Sequence, residues 1–129
     1  IYCLEQLKSH FPGVDIFVHK SEQLLGTIPI EENFKLRVGE IQLNALHMYG
    51  HSVGGLTYLM DGLPCPVAIV GDALFAGSMG GGMVSYAGAL ETNREKIMTL
   101  PNNCVICPGH GPMSTIGEEK KYNPFFHKF

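Results

Sequence analysis

Near the middle of the chain, Pro66-Val67-Ala68-Ile69-Val70 runs without a polar residue and is followed at once by Gly71-Asp72. A strand with one face in water alternates apolar and polar side chains. A run with no polar face predicts a strand buried on both sides, in the middle of a covered sheet. The neighbouring segments can supply that sheet. Residues 34–38 and 41–46 alternate around Gly39, which predicts a hairpin. Residues 56–60 predict another strand, closed by the turn Asp61-Gly62. Val105-Ile106 predicts a short one, broken at Pro108-Gly109.

Helices fall around these strands. Residues 1–10 predict a helix already under way at Ile1, with Leu4 and Leu7 on one face, ending near Phe11-Pro12-Gly13. Residues 15–19 predict a short strand. Ser21 caps a brief helix to Leu25, stopped by Gly26 and followed by a loop containing Pro29. Residues 87–100 predict a helix with Leu90 and Ile97 two turns apart, ended by Pro101. Residues 115–122 predict a last, charged helix stopped by Pro124. Strands grouped early and helices later predict a single domain over 1–129, a layered α/β sandwich.

Composition removes several classes of function. The chain has 129 residues and a formal net charge of −3, with no basic run and no aromatic–basic interleaving, which argues against a nucleic-acid partner. No apolar stretch reaches membrane-spanning length, so no membrane partner is expected. Four cysteines are too few for a disulfide scaffold of this size; reduced thiols in a cytoplasmic protein are the simpler expectation.

Three segments carry chemistry. They are Tyr49-Gly50-His51-Ser52, Val70-Gly71-Asp72-Ala73 and Pro108-Gly109-His110-Gly111-Pro112. Each puts a metal-ligand side chain just past a predicted strand, where site residues gather in α/β folds. The glycines beside them permit tight turns and close backbone approach. Two imidazoles and a carboxylate suit zinc, and also iron or manganese. Singly, each is more often a loop histidine or a turn-forming aspartate; it is the shared context that raises them.

Taken together, these segments resemble the metallo-β-lactamase-fold hydrolases of the glyoxalase II-like kind. Gly50-His51-Ser52-Val53-Gly54-Gly55 is similar to a Gly-His-Thr-Pro-Gly-Ser turn of that family, and Gly71-Asp72-Ala73-Leu74-Phe75 to its Gly-Asp-Thr-Leu-Phe segment. Pro108-Gly109-His110-Gly111-Pro112, with Thr115-Ile116-Gly117-Glu118-Glu119 and Asn123-Pro124-Phe125-Phe126, resembles the ending of its small members. The resemblance implies the C-terminal half, or most, of an αββα sandwich. It implies two divalent metal ions, zinc first, with His51 on one, His110 on the other and Asp72 bridging both as the catalytic carboxylate. It implies a small-molecule thioester or ester substrate, hydrolysed by a metal-activated water. Which residues bind that substrate is not indicated.

Three departures qualify this. The family's His-x-His-x-Asp-His motif is absent from the chain. A catalytic zinc takes three protein ligands, so the chain by itself should bind metal weakly and lack activity. A missing N-terminal half, upstream or in a second chain, should complete the fold and cover one sheet face. Gly80-Gly81-Gly82 stands where many relatives carry an arginine after the first glycine, and Val53 where they often carry proline. A non-catalytic binding module, or an iron-dependent persulfide dioxygenase, are the alternatives on the same fold.

The remaining candidates have plainer readings. Cys104-Val-Ile-Cys107 with His110 spells a zinc-like string, but alternation along a strand sends the two thiols to opposite faces. His47 is a candidate for orienting a ligand, and His19 for the site rim; packing roles are the simpler reading of both. Tyr86 fits helix-entry packing as well as substrate contact. The stretch 77–82 lacks the ending of a phosphate loop and reads as an active-site wall.

Overall fold

The computed structural model describes residues 3–127. Ile1 and Tyr2, where the first helix was expected to begin, lie outside the described residues, as does the end at Phe129. Among the described residues, ten strands and three α-helices follow one another. They are α1 (Leu4–His10), β1 (Phe17–His19), β2 (Ile28–Ile30), β3 (Lys35–Val38), β4 (Ile41–His47), β5 (Leu56–Asp61), β6 (Val67–Gly71), β7 (Leu74–Phe75), β8 (Ser78–Met79), α2 (Tyr86–Thr92), β9 (Val105–Pro108), β10 (Ser114–Thr115) and α3 (Ile116–Tyr122).

Six strands form one mixed sheet in the order β10-β9-β6-β5-β4-β3. The expected hairpin forms as β3–β4, with Leu36 opposite Leu43 and Val38 opposite Ile41. The apolar run becomes β6, paired on both sides with β5 and β9. β5 runs antiparallel to both β4 and β6, and β9 is parallel to β6. Strands β4, β6 and β9 therefore point the same way, and their C-terminal ends meet at one end of the sheet.

The two faces of the sheet differ. Ala68 and Val70 of β6 are 0% and 1% exposed, and Ile106 of β9 is equally buried. With Leu74, Ile97, Cys104 and Ile116 they form the core beneath the helices. Side chains alternate across a strand, so Ile69 points to the other face, where it is 42% exposed. Register places Leu36, Leu43, Tyr58, Ile69 and Cys107 together there. Phe17 and Phe34 cover that face only in part, leaving a groove of about 200 Å³. A sheet apolar on both faces but covered on one is one half of a layered α/β sandwich.

Several local expectations are corrected. The loop holding Pro29 is strand β2, paired parallel to β1 with Val18 opposite Pro29. The pair is an isolated two-stranded ribbon, where a proline with no N–H is tolerated at an edge. The helix expected at 21–25 is a single 3-10 turn, Lys20–Glu22, ended by Gln23 in the left-handed region. The helix expected over 87–100 starts one residue earlier, with the Ser85 side chain accepting from the Gly88 amide. It changes to π register at Asn93–Ile97. There the buried Asn93 side chain donates to the Ala89 carbonyl one turn back and to Ala73 across the core, and Met98 N–H bonds to the Asn93 carbonyl. A side chain competing for the helix ladder in this way loosens its register. The α3 helix starts where expected, capped by Thr115. Among the described residues no helix is long and apolar enough to cross a membrane.

Candidate metal centre

The common end of β4, β6 and β9 carries the three sequence-predicted ligands. Asp72 directly follows β6, His110 lies two residues past β9, and His51 sits on the turn four residues past β4. The chain turns sharply at Gly50, whose φ is +137°. A Cβ there would lie 2.1 Å from the Ala89 backbone nitrogen, so only glycine lets α2 pack on this turn. The Gly50 carbonyl accepts from the Val84 and Ser85 amides, tying the turn to the start of α2.

The carboxylate of Asp72 stands between the two imidazoles. Its Oδ2 is 3.7 Å from His51 Nε2, and its Oδ1 is 3.5 Å from His110 Nε2. The Nδ1 of His51 donates to the Gly81 carbonyl at 2.8 Å. A carbonyl only accepts, so the neutral ring carries its proton on Nδ1 and turns the Nε2 lone pair toward Asp72. The His51 lone pair faces the carboxylate without a hydrogen bond to it, and a cation held between Asp72 and the two rings would satisfy these groups. Donors sharing one zinc at bonds of about 2.05 Å sit roughly 3.3 Å apart, so the donor set fits divalent metal. It fits incompletely: among the described residues no three such side chains converge on one point.

The surroundings hold these groups by backbone. A Cβ on Gly109 would lie 2.4 Å from Asp72 Oδ1, so a side chain there would push the carboxylate out of its place between the imidazoles. Asp72 is 36% exposed and His110 78%, and the Phe75 ring meets His110 edge-on at 6.0 Å. A cavity of about 240 Å³ beside His51 and Asp72 is lined otherwise by Met48, Leu56, Val70 and small residues.

The other candidates sit elsewhere. His47 donates from Nε2 to the Val53 carbonyl and stacks on His19 at 3.7 Å, so both histidines buttress the turn that carries His51. The backbone of His47 is itself clamped. Its amide donates to Glu32, and Lys96 bridges the Glu32 carboxylate at 2.9 Å and the His47 carbonyl at 2.8 Å. Burial works to raise the Glu32 carboxyl, but the Lys96 ammonium and the His47 amide outweigh it and hold it below the usual carboxylate range. Cys104 is buried in the core, while the Cys107 sulfur lies 3.7 Å from that of Met113; the thiols do not converge. Tyr86 opens α2 with its ring exposed. The Gly81 carbonyl and the Lys96–Glu32 clamp were not anticipated. A glycine-rich stretch signals backbone use without saying which carbonyl is used, and Glu32 and Lys96 lie far apart in the chain.

Burial, then the neighbouring His47 and Lys20, push the His19 pKa below the ordinary histidine value. The unfolded chain then takes up a proton before the folded one does. His19 therefore contributes stability above about pH 6.5 that is lost as pH falls through its lower folded value. The thermal midpoint, followed by calorimetry, should fall between about pH 7 and pH 5. His19→Asn should flatten that fall; an unchanged slope would assign the acid sensitivity to other groups.

No family model matches the chain. It is 34% identical over 106 residues to a probable metallo-hydrolase of Streptococcus pyogenes serotype M6, covering 77% of this chain and 45% of that protein. It is 31% identical over 100 residues to the hydroxyacylglutathione hydrolase GloC of Haemophilus influenzae, covering 75% and 46%. Its structure matches a metallo-β-lactamase of Staphylococcus aureus with a TM-score of 0.80 at 28% identity, over 97% of this chain and 44% of that one. The chain spans about half the length of the curated relatives it matches. With one half of the sandwich in place and relatives of this kind, the chain belongs to the metallo-β-lactamase-fold superfamily.

Proposed function

We propose that this chain supplies one side of a two-metal hydrolytic centre acting on a thioester or ester. The reading is carried by Asp72, whose two oxygens face different imidazoles, Oδ2 toward His51 and Oδ1 toward His110. His51 would hold one metal, His110 the other, and Asp72 both. Zinc suits these donors, and so do iron and manganese. Metals bound there would lower the pKa of a water and polarise the substrate carbonyl.

The chain's own groups have defined tasks. The Gly81 carbonyl fixes the His51 tautomer and aims its Nε2. Asp72, standing between the two imidazoles, would offset part of the positive charge of bound metals. Phe75 packs edge-on against the His110 ring, and an apolar wall of Met48, Leu56 and Val70 lines the cavity beside Asp72. Among the described residues each metal would find two donors, and the remaining ones would come from elsewhere in the whole protein or from a second chain. That same portion would cover the open sheet face at Ile69. The thioester preference is supported by the likeness to GloC, whose name makes it a hydrolase of an acylated glutathione.

The test is metal content and hydrolysis by the whole protein. It should contain about two metal ions and turn over acyl-glutathione or simple thioesters, with activity lost to a chelator and restored by zinc. Metal without hydrolysis of any ester or thioester would favour a binding module. No metal at all would sink the reading.

A further inference from the structure

The last helix holds a buried carboxylate that the reading above leaves unused. Glu119 is 3% exposed and has no cation beside it among its hydrogen-bond partners. Its Oε1 accepts from the Ser114 hydroxyl. Its Oε2 accepts from the Gly77 amide at 2.9 Å and from Asn123 Nδ2 at 2.7 Å. Asn123, fully buried one turn further on, also donates to the Ser78 carbonyl at 3.0 Å.

These partners belong to two different arms of the centre. Gly77 and Ser78 lie in the β7–β8 hairpin, which leaves Asp72 at one end and reaches Gly80 and Gly81 at the other. Gly80 packs on the Asp72 carbonyl oxygen, and Gly81 orients His51. Ser114 lies in β10, four residues after His110, and pairs with Ile106 of β9 to return the His110 loop to the sheet. One oxygen of Glu119 thus holds the Asp72–His51 arm and the other holds the His110 arm.

We propose that Glu119, with Asn123, is the positioning residue that sets the spacing between the two arms of the metal centre. The inference rests on the assignment of His51, Asp72 and His110 as ligands. A carboxylate suits the task because each of its oxygens accepts independently, and burial keeps water from replacing either contact. The Ser114…Glu119…Asn123 spacing is then a clamp as well as a helix start: Thr115 caps α3, and Glu119 and Asn123 project from one face at i and i+4.

Zn(II) affinity of the whole protein, measured against a competing chelator, tests this, together with the visible absorption of the Co(II) form. Glu119→Ala should weaken metal binding about tenfold to a hundredfold, the range for partners that orient ligands, and should alter the Co(II) bands. Glu119→Gln should stay within about threefold of the native protein. Its amide oxygen can accept from Gly77 and Asn123 while its NH2 donates to Ser114. Ile97→Val, a cavity in the same core away from the clamp, should lower the thermal midpoint and leave affinity and spectrum alone. If Glu119→Ala does not fold, Ser114→Ala carries the test, with an expected loss of about tenfold, the lower end of the same range, since it removes one of the two arms' contacts. Native affinity in Glu119→Ala, or in Ser114→Ala where that variant stands in, would overturn the clamp while leaving the ligand assignment intact. A native protein that binds no metal would overturn the ligand assignment and the clamp with it.

Discussion

Asp72→Ala should strip both metals from the whole protein and abolish hydrolysis. On the proposed assignment, removing His51 or His110 would take one donor from one metal, whereas removing Asp72 would take a donor from each, since its oxygens face the two rings separately. The loss in affinity should therefore exceed the roughly 10–100-fold that follows when only a ligand's supporting partner is lost. Stability without metal should hardly change. The Asp72 side chain is 36% exposed, and a substitution at such a position costs within about 0.5 kcal/mol. The two effects separate cleanly in melting curves. The native protein should melt higher with saturating zinc than without, by the linkage of binding to folding, and Asp72→Ala should melt at one temperature in both. A variant that keeps its zinc-dependent rise would show the metal to be held elsewhere.

Much of this arrangement was legible in the sequence because it is local. The apolar run before Asp72 marked the central strand, and β6 is that strand. Glycine on the N-terminal side of each ligand marked backbone that must turn or approach closely, and Gly50 and Gly109 do so. The shared direction of β4, β6 and β9 was not legible, because an apolar run reports burial on both faces and not direction, and β6 itself runs antiparallel to β5 and parallel to β9. The π register after α2 was hidden for a related reason: Asn93 departs from the helix ladder to reach Ala73, twenty residues away in the chain. Burial on both sides of the apolar run was also expected, yet Ile69 stands open. The pattern describes a strand meant to be covered, and the described residues leave that face at Ile69 open. The same holds for the candidate metal centre, where the local signal named His51, Asp72 and His110 and could not say how many donors would converge.

The triple glycine offers the sharpest discrimination between neighbouring positions. Gly80→Ala should lower stability by about 3 kcal/mol or more, the upper range for forcing atoms into a packed site, and should weaken metal binding with it. A Cβ at Gly80 would lie 1.6 Å from the Asp72 carbonyl oxygen and 3.4 Å from His51 Nδ1. The first contact is backbone, so no side-chain rotation relieves it, and the strain falls on the residue that joins the two histidines. Gly81→Ala, one position on, should be nearly silent. Its Cβ would meet only the Met83 sulfur at 3.8 Å, and what Gly81 contributes to His51 is a carbonyl that any residue carries. Gly82 reverts to the first case, with a Cβ 2.3 Å from the Tyr86 Cα. A stretch that reads in sequence as uniform loop therefore contains two glycines required by close approach and one that is not. Thermal melts and zinc titrations of the two alanine variants decide the matter. Equal, mild effects at 80 and 81 would mean that the hairpin can move away from Asp72, and that the carbonyl contact does not hold the centre together.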